Sequence, residues 1–227
     1  MNDKKTSAII VAAGSSSRMG GIDKQFLEID EVPVIIRTLS AFQKSEFINE
    51  IIVSTKQESK ETIESLSIKY GISKLTNIVS GGKTRQESVF NALQVVDKDA
   101  DFIAIHDGAR PLISLEGINK TIQSAFEHNA AAIGVRVKDT IKVVDEKGFI
   151  VDTPERSKLW AVQTPQVFKK ELYQKAVNEL GEKASLFTDD CKLLETIGVK
   201  VFMVEGEYSN IKITTPEDVL SASVLLN

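Results

Sequence analysis

Ser7-Ala8-Ile9-Ile10-Val11-Ala12-Ala13-Gly14-Ser15-Ser16-Ser17-Arg18-Met19-Gly20-Gly21 is the stretch that decides the fold. Ile9, Ile10 and Val11 read as a buried strand, placed over Ser7–Ala12, that runs into small side chains and glycines. Such a loop lets backbone N–H groups close around an anion without side-chain interference. A loop directly after an amino-terminal apolar strand is also where open α/β sheets hold their ligands. Arg18 and, just beyond, Lys24 add two positive charges where a polyphosphate would sit. The chemistry indicated is binding, and reaction, of a nucleoside triphosphate. A dinucleotide fingerprint would need glycine where Ser16 and Met19 stand, and this loop lacks the Gly-Lys-Ser/Thr ending of a P-loop. Read alone, the segment is equally a flexible turn with a surface arginine.

Outward from this loop the composition is that of an ordinary globular chain. The 227 residues suit one α/β domain, with 42% hydrophobic and 26% charged residues. A net charge of -4 argues against general attraction to nucleic acid, so an anionic substrate must meet locally gathered cations. Cys191 is the only cysteine, which excludes an intrachain disulfide, and it reads as a packed helical residue. The polar start Met1–Thr6 and the short Ile9–Val11 run do not read as a signal sequence, and no apolar stretch is long enough for a bilayer. A cytoplasmic protein is expected.

Further strands are expected at Glu50–Ser54, Asn77–Val79, Asp101–His106 and Ala131–Val137. Helices fall between them at Val34–Lys44, Glu58–Tyr70, Thr84–Val96 and Leu115–His128. Val89, Ala92, Leu93 and Val96 share one face at helical spacing. This alternation predicts right-handed crossovers and a mostly parallel, Rossmann-like sheet flanked by helices. After Val137 the rhythm breaks. Thr140–Val144 and Phe149–Asp152 flank Asp145-Glu146-Lys147-Gly148, a hairpin that projects as a β-arm over about residues 138–158. A two-stranded arm is marginal alone, so pairing of two copies through it is expected. Then follow a strand at Leu159–Val162, helices near Lys169–Leu180 and Thr188–Ile197, and strands at Val199–Val204 and Asn210–Thr214. A last helix opens at Thr215-Pro216-Glu217-Asp218, with Thr215 as N-cap and a carboxylate at N3.

Three more constellations carry chemistry. Gly81-Gly82-Lys83-Thr84-Arg85-Gln86-Glu87-Ser88 places glycines before a helix N-terminus, offering donors to an acceptor-rich ligand or simply a turn capped by Thr84. Ile105-His106-Asp107-Gly108-Ala109-Arg110-Pro111 puts Asp107 at a strand's carboxyl end, well placed for Mg²⁺ or a metal-bound phosphate. Arg110 would pair with Asp107 and brace the loop, and His106 reads as a structural hydrogen-bonding residue. The last group is dispersed: Asp139-Thr140, Arg156, Gln163-Thr164-Pro165-Gln166 and Asn210-Ile211-Lys212 together would furnish a second anion site.

In this order, the Ala12-Ala13-Gly14 loop with Arg18-Met19 and Lys24-Gln25, Gly81-Gly82 with Arg85 and Ser88, and His106 to Pro111 form the first half of a pattern. Asp139-Thr140, Leu159-Trp160 with Gln163 to Gln166, and Asn210-Ile211-Lys212 with Pro216-Glu217-Asp218 complete it. The whole resembles the 2-C-methyl-D-erythritol 4-phosphate cytidylyltransferases over nearly the full chain. The resemblance implies that Ala12, Ala13, Gly14 and Ser15 wrap the CTP triphosphate while Arg18 and Lys24 stabilise charge at the α-phosphate. Gly82, Lys83 and Ser88 would lie around cytosine and ribose, although Lys83 stands where the family pattern has an acidic residue. Asp107 would face Mg²⁺-CTP and the acceptor. Thr140, Arg156 and Lys212 would hold the acceptor phosphate, Arg156 from the arm of a second subunit, with Thr164 and Asp189 in support.

Two other readings stand beside this one. A ribitol 5-phosphate cytidylyltransferase shares the fold and most motifs, but tends to differ in the Asp-Gly-Ala-Arg-Pro and Leu-Trp-Ala-Val-Gln segments. A non-catalytic nucleotide-binding regulator would not need both Arg18 and Lys24.

Overall fold

The computed structural model describes residues 4–14 and 23–226. The chain begins with β1 (Thr6–Val11), then a small hairpin of β2 (Glu28–Ile29) and β3 (Val32–Pro33), and α1 (Val34–Lys44). Next come β4 (Ile48–Thr55), α2 (Lys60–Lys69), β5 (Leu75–Ser80), α3 (Arg85–Leu93), β6 (Phe102–Asp107), α4 (Leu115–His128) and β7 (Ala130–Arg136). The arm carries β8 (Val143–Val144) and β9 (Ile150–Asp152). The chain then returns through β10 (Trp160–Lys169), α5 (Lys170–Leu180), α6 (Asp190–Thr196), β11 (Phe202–Glu205) and α7 (Pro216–Leu226).

Seven strands form one sheet in the order β11-β7-β10-β6-β1-β4-β5. β1 is buried along all but its last residue because parallel partners flank it, β6 on one side and β4 on the other. Its alternating side chains feed two cores. Ala8 and Ile10 point to the layer of α1 and α4, with Ile36, Leu39, Ile118 and Ile122. Ile9 points to the opposite layer, with Val89 of α3, Tyr173 of α5 and Leu194 of α6. Period-2 alternation on a strand covered on both faces thus builds a three-layer molecule.

α1 and α4 occupy the expected bounds, with clear apolar faces and, for α4, a Ser114 cap on Gly117 N–H. Several expectations need correcting: the strand placed at Val199–Val204 is β11 at Phe202–Glu205, and the helix placed at Thr84–Val96 ends at Leu93, leaving Val96 beyond it. The Leu159–Val162 strand is the first part of the longer β10, which runs antiparallel to both β6 and β7 and so interrupts the parallel sheet. Its register shifts between Val162 and Gln166, around Pro165, which has no N–H for a ladder. Residues 210–214 are not a strand. They are held individually, for instance by Ile213 N–H donating to Ala109 O at 2.8 Å. The helix expected from Glu58 begins with a 3-10 turn over Gln57–Ser59. The arm is as expected, a short antiparallel pair closed around Gly148 at φ +87°.

Candidate active site

Strand order reverses between β1 and β6, and a cleft of about 370 Å³ opens there, reached also by the loop after β5. Both glycine-bearing loops start as continuations of the sheet: Ala12 N–H donates to Ser54 O and Gly81 N–H to Thr55 O, each at 2.7 Å. A methyl group on Gly81 would fall 2.2 Å from Ala13 Cβ and 2.9 Å from Ser88 Oγ, so only glycine lets the two loops meet. Ala13 and Gly14 then reach the cleft wall, while Ala12 is buried beneath it.

The second loop is shaped by its helix. Thr84 caps α3 by accepting from Glu87 N–H at 3.1 Å. Glu87 Oε2 in turn accepts from Lys83 N–H at 2.7 Å, a capping box reaching one residue further back than usual. Ser88 Oγ accepts from Gly82 N–H and donates to Thr84 O, both at 3.0 Å. Ser88 therefore lines the cleft with its hydroxyl already committed to the loop.

Asp107 ends β6 and is only 7% exposed. Three cations converge on its carboxylate: Lys212 Nζ at 2.7 Å, Arg85 Nε at 3.2 Å and Arg110 Nε at 3.7 Å. Burial alone would raise its pKa, but Arg85 and Lys212, and then Arg110, outweigh it and hold the carboxyl well below the usual range. Each arginine has a second hold. Arg85 Nη1 lies 2.6 Å from Asp190 Oδ2, and Arg110 Nη1 donates to Asn210 O at 2.7 Å. Asp107 N–H donates to Thr164 Oγ1 at 3.1 Å, and that hydroxyl also meets His106 Nδ1 at 3.0 Å. His106 is fully buried, and burial pushes its pKa down to about 3. It is thus the structural residue expected, neutral at physiological pH.

Of the residues predicted for the site, Ala13, Gly14, Lys24, Gly82, Lys83, Ser88, Asp107 and Lys212 line one cleft. Ser15 and Arg18 lie outside the described residues. Thr164 sits beneath the floor, and Asp189 caps α6 by accepting from Lys192 N–H. Thr140 and Arg156 are exposed on the arm and do not line this cleft. Arg156 Nη1 donates to Lys138 O of its own chain at 2.9 Å. Sequence reasoning assigned no role to Arg85, whose signal was its place just after the glycine pair, nor to Asp190, which left no signal. Gln25, quoted beside Lys24 but given no role, lines the cleft with its Oε1 buried and without a hydrogen-bond partner among the described residues.

Lysines and arginines surround the one carboxylate among the described lining residues, at the strand ends of an open α/β sheet. Such a site can neutralise phosphate charge, which is what a nucleotidyltransferase requires. A family model, IspD (2-C-methyl-D-erythritol 4-phosphate cytidylyltransferase), matches residues 6–227. The chain belongs to that family.

Among similar proteins, the 2-C-methyl-D-erythritol 4-phosphate cytidylyltransferase of Caldanaerobacter subterraneus is 52% identical over 97% of this chain and 98% of its own. That of Clostridium botulinum is 45% identical over 98% and 97% respectively. The crystal structure of 4-diphosphocytidyl-2C-methyl-D-erythritol synthase from Anaerococcus prevotii superposes with a TM-score of 0.88 at 35% identity, covering 98% of this chain and 96% of that one.

Proposed function

We propose that the chain transfers a cytidylyl group from CTP to 2-C-methyl-D-erythritol 4-phosphate, giving 4-diphosphocytidyl-2-C-methylerythritol and pyrophosphate for non-mevalonate isoprenoid synthesis. The observation that carries this reading is the cluster of Lys212, Arg85 and Arg110 on Asp107 at the mouth of the β1 loop, in a chain of this family. A phosphate oxygen of the acceptor attacks the α-phosphorus of CTP in line. The bond to the β-phosphate breaks, and pyrophosphate leaves with the electron pair. Arg18 and Lys24 act where negative charge develops on the α-phosphate. Gly82 and Lys83 line the side of the cleft assigned to the nucleoside.

A divalent cation fits Asp107. Asp107, the one carboxylate among the described lining residues, would be the protein ligand of Mg²⁺ once Lys212 gave way. Bound there, Mg²⁺ supplies charge neutralisation for the triphosphate. Lys212, the most exposed of the three cations on Asp107, is the one placed to give way and turn to the acceptor phosphate.

Residues 1–227 act as one domain whose arm, about 138–158, joins two copies. Support comes from Val144, Phe149, Ile150 and Val151, all more than half exposed on the arm, and from Arg156 and Thr140 lying outside their own cleft. Arg156 of each copy then completes the acceptor site of the other. No described helix is long and apolar enough to cross a membrane, and a cytoplasmic homodimer is the form proposed.

The test is pyrophosphate release with CTP and Mg²⁺, comparing methylerythritol 4-phosphate with ribitol 5-phosphate. Preference for the former is expected. Preference for ribitol phosphate would move the assignment to the other acceptor, and release with neither would defeat the enzymatic reading.

A further inference from the structure

Behind the cleft, Arg85 joins two carboxylates. Its Nε faces Asp107 at 3.2 Å and its Nη1 faces Asp190 Oδ2 at 2.6 Å. Asp190 is 0% exposed, and its other oxygen accepts from the Tyr173 hydroxyl at 2.6 Å. Its backbone N–H donates to Gln166 Oε1 at 3.1 Å. Tyr173, Leu193 and Leu194 pack here in the apolar layer. A carboxylate in such surroundings carries a desolvation cost, and an apolar residue of similar size is often no less stable in its place. Held from both sides by Arg85 and Tyr173, it is placed to orient the arginine as well as to pack. The planar guanidinium carries that orientation on, because its fork fixes the direction between the two carboxylates in a way a lysine would not.

We infer that Asp190 and Tyr173 are positioning residues for the transfer reaction, acting through Arg85 to fix the orientation of the Asp107 carboxylate in the cleft. The chain of contacts runs from the hydroxyl of α5 to the first turn of α6, across to the first turn of α3, and ends at the tip of β6. Arg110 does not replace this hold: its Nε stays 3.7 Å from Asp107 and makes no hydrogen bond. Without Asp190, Arg85 keeps only the cleft carboxylate, and Asp107 turns toward Lys212 and Arg110. The inference rests on Asp107 facing the nucleotide, as proposed above.

The experiment compares Asp190→Asn, Tyr173→Phe, Asp107→Asn and the double variant Asp107→Asn/Asp190→Asn as full-length protein. It measures steady-state kinetics in both substrates, CTP affinity by calorimetry and thermal unfolding. For Asp190→Asn, kcat/KM for CTP is expected to fall at least about tenfold while KM for the acceptor stays within about twofold. Tyr173→Phe, which removes one hydroxyl and keeps the ring, shifts the same parameter about threefold and serves if Asp190→Asn does not fold. In the Asp107→Asn background, Asp190→Asn adds no further loss in CTP affinity, since groups acting through one another are not additive. Lowered melting temperatures with unchanged kinetics in Tyr173→Phe and every folded Asp190 variant, or full additivity in the double variant, would overturn the inference. Wild-type turnover in Asp107→Asn would instead remove the reading of Asp107 on which it rests.

Discussion

Lys212 Nζ and Asp107 Oδ2 stand 2.7 Å apart, joining the cation proposed for the acceptor to the carboxylate proposed for the nucleotide. The pair forms because residues 210–214 cross the end of β6, tied by Ile213 N–H to Ala109 O and by Arg110 Nη1 to Asn210 O. On the proposed assignment, Lys212→Ala removes a charge-assisted contact to the acceptor, while Arg85 still holds Asp107. KM for methylerythritol phosphate should rise by about tenfold or more, with a smaller change in KM for CTP. Steady-state kinetics at fixed saturating CTP measures this, and an equal rise in both constants would defeat the division of roles. Lys24→Ala should do the reverse, lowering kcat by about a hundredfold with acceptor KM little changed.

His106 predicts how stability depends on pH. Its pKa in the fold, about 3, lies below the value of 6.5 that the unfolded chain would show. The unfolded state therefore takes up the proton first, and the stability His106 contributes is full above pH 6.5 and lost as pH falls toward 3. Between neutral pH and pH 5 the protein should lose roughly 2 kcal/mol by this route. Asp107, also depressed, contributes its stability in full above the ordinary carboxylate range and loses it only as pH falls below that range, so it adds little to this difference. Urea unfolding at pH 7.5 and pH 5 gives the difference, and His106→Gln should flatten it.

On the arm, Phe149 is 68% exposed and Ile150 60%. On the proposed pairing through the arm, Phe149→Asp should leave the sheet intact, give a monomer and lower turnover by about tenfold or more, because a buried charge disfavours association. Sedimentation velocity together with circular dichroism separates this outcome from misfolding. A dimer that persists would show that another surface joins the copies.

Much of this was legible in the chain. α1 and α4 were read to the residue because their apolar spacing and flanking signals agree. The cleft could be anticipated because backbone-donor loops betray themselves by glycine. What escaped was of two kinds. In β10, Pro165 and its polar neighbours broke the apolar pattern, so a buried antiparallel strand looked like a loop motif. The Arg85–Asp190 contact spans distant elements, and no local spacing encodes which arginine meets which aspartate. Residues 210–214 erred in the opposite direction. Ile211 and Ile213 suggest a strand, yet the segment lies over the end of the sheet instead of alongside it.

At the other end, Asp218 Oδ2 accepts from Thr214 N–H, Thr214 Oγ1 and Thr215 N–H, each at 2.8 Å. This is the helix start foreseen at Thr215-Pro216, with the N3 carboxylate reaching back. Asp218→Ala should lower stability by about 1 kcal/mol, since loss of such a cap typically costs that much. Because the same residues adjoin Lys212, acceptor KM should rise modestly with it, and thermal unfolding and kinetics read the two effects separately.

Gly81 makes the first two loops one mechanical part. Where a methyl group would stand, Ala13 Cβ is 2.2 Å away, so the spacing between the wall after β1 and the wall after β5 is set by contact and not by either loop's own stiffness. A larger residue at either position would widen the mouth for every ligand at once. The gauge of the cleft is thus held by two of the smallest residues in the protein, Gly81 and Ala13.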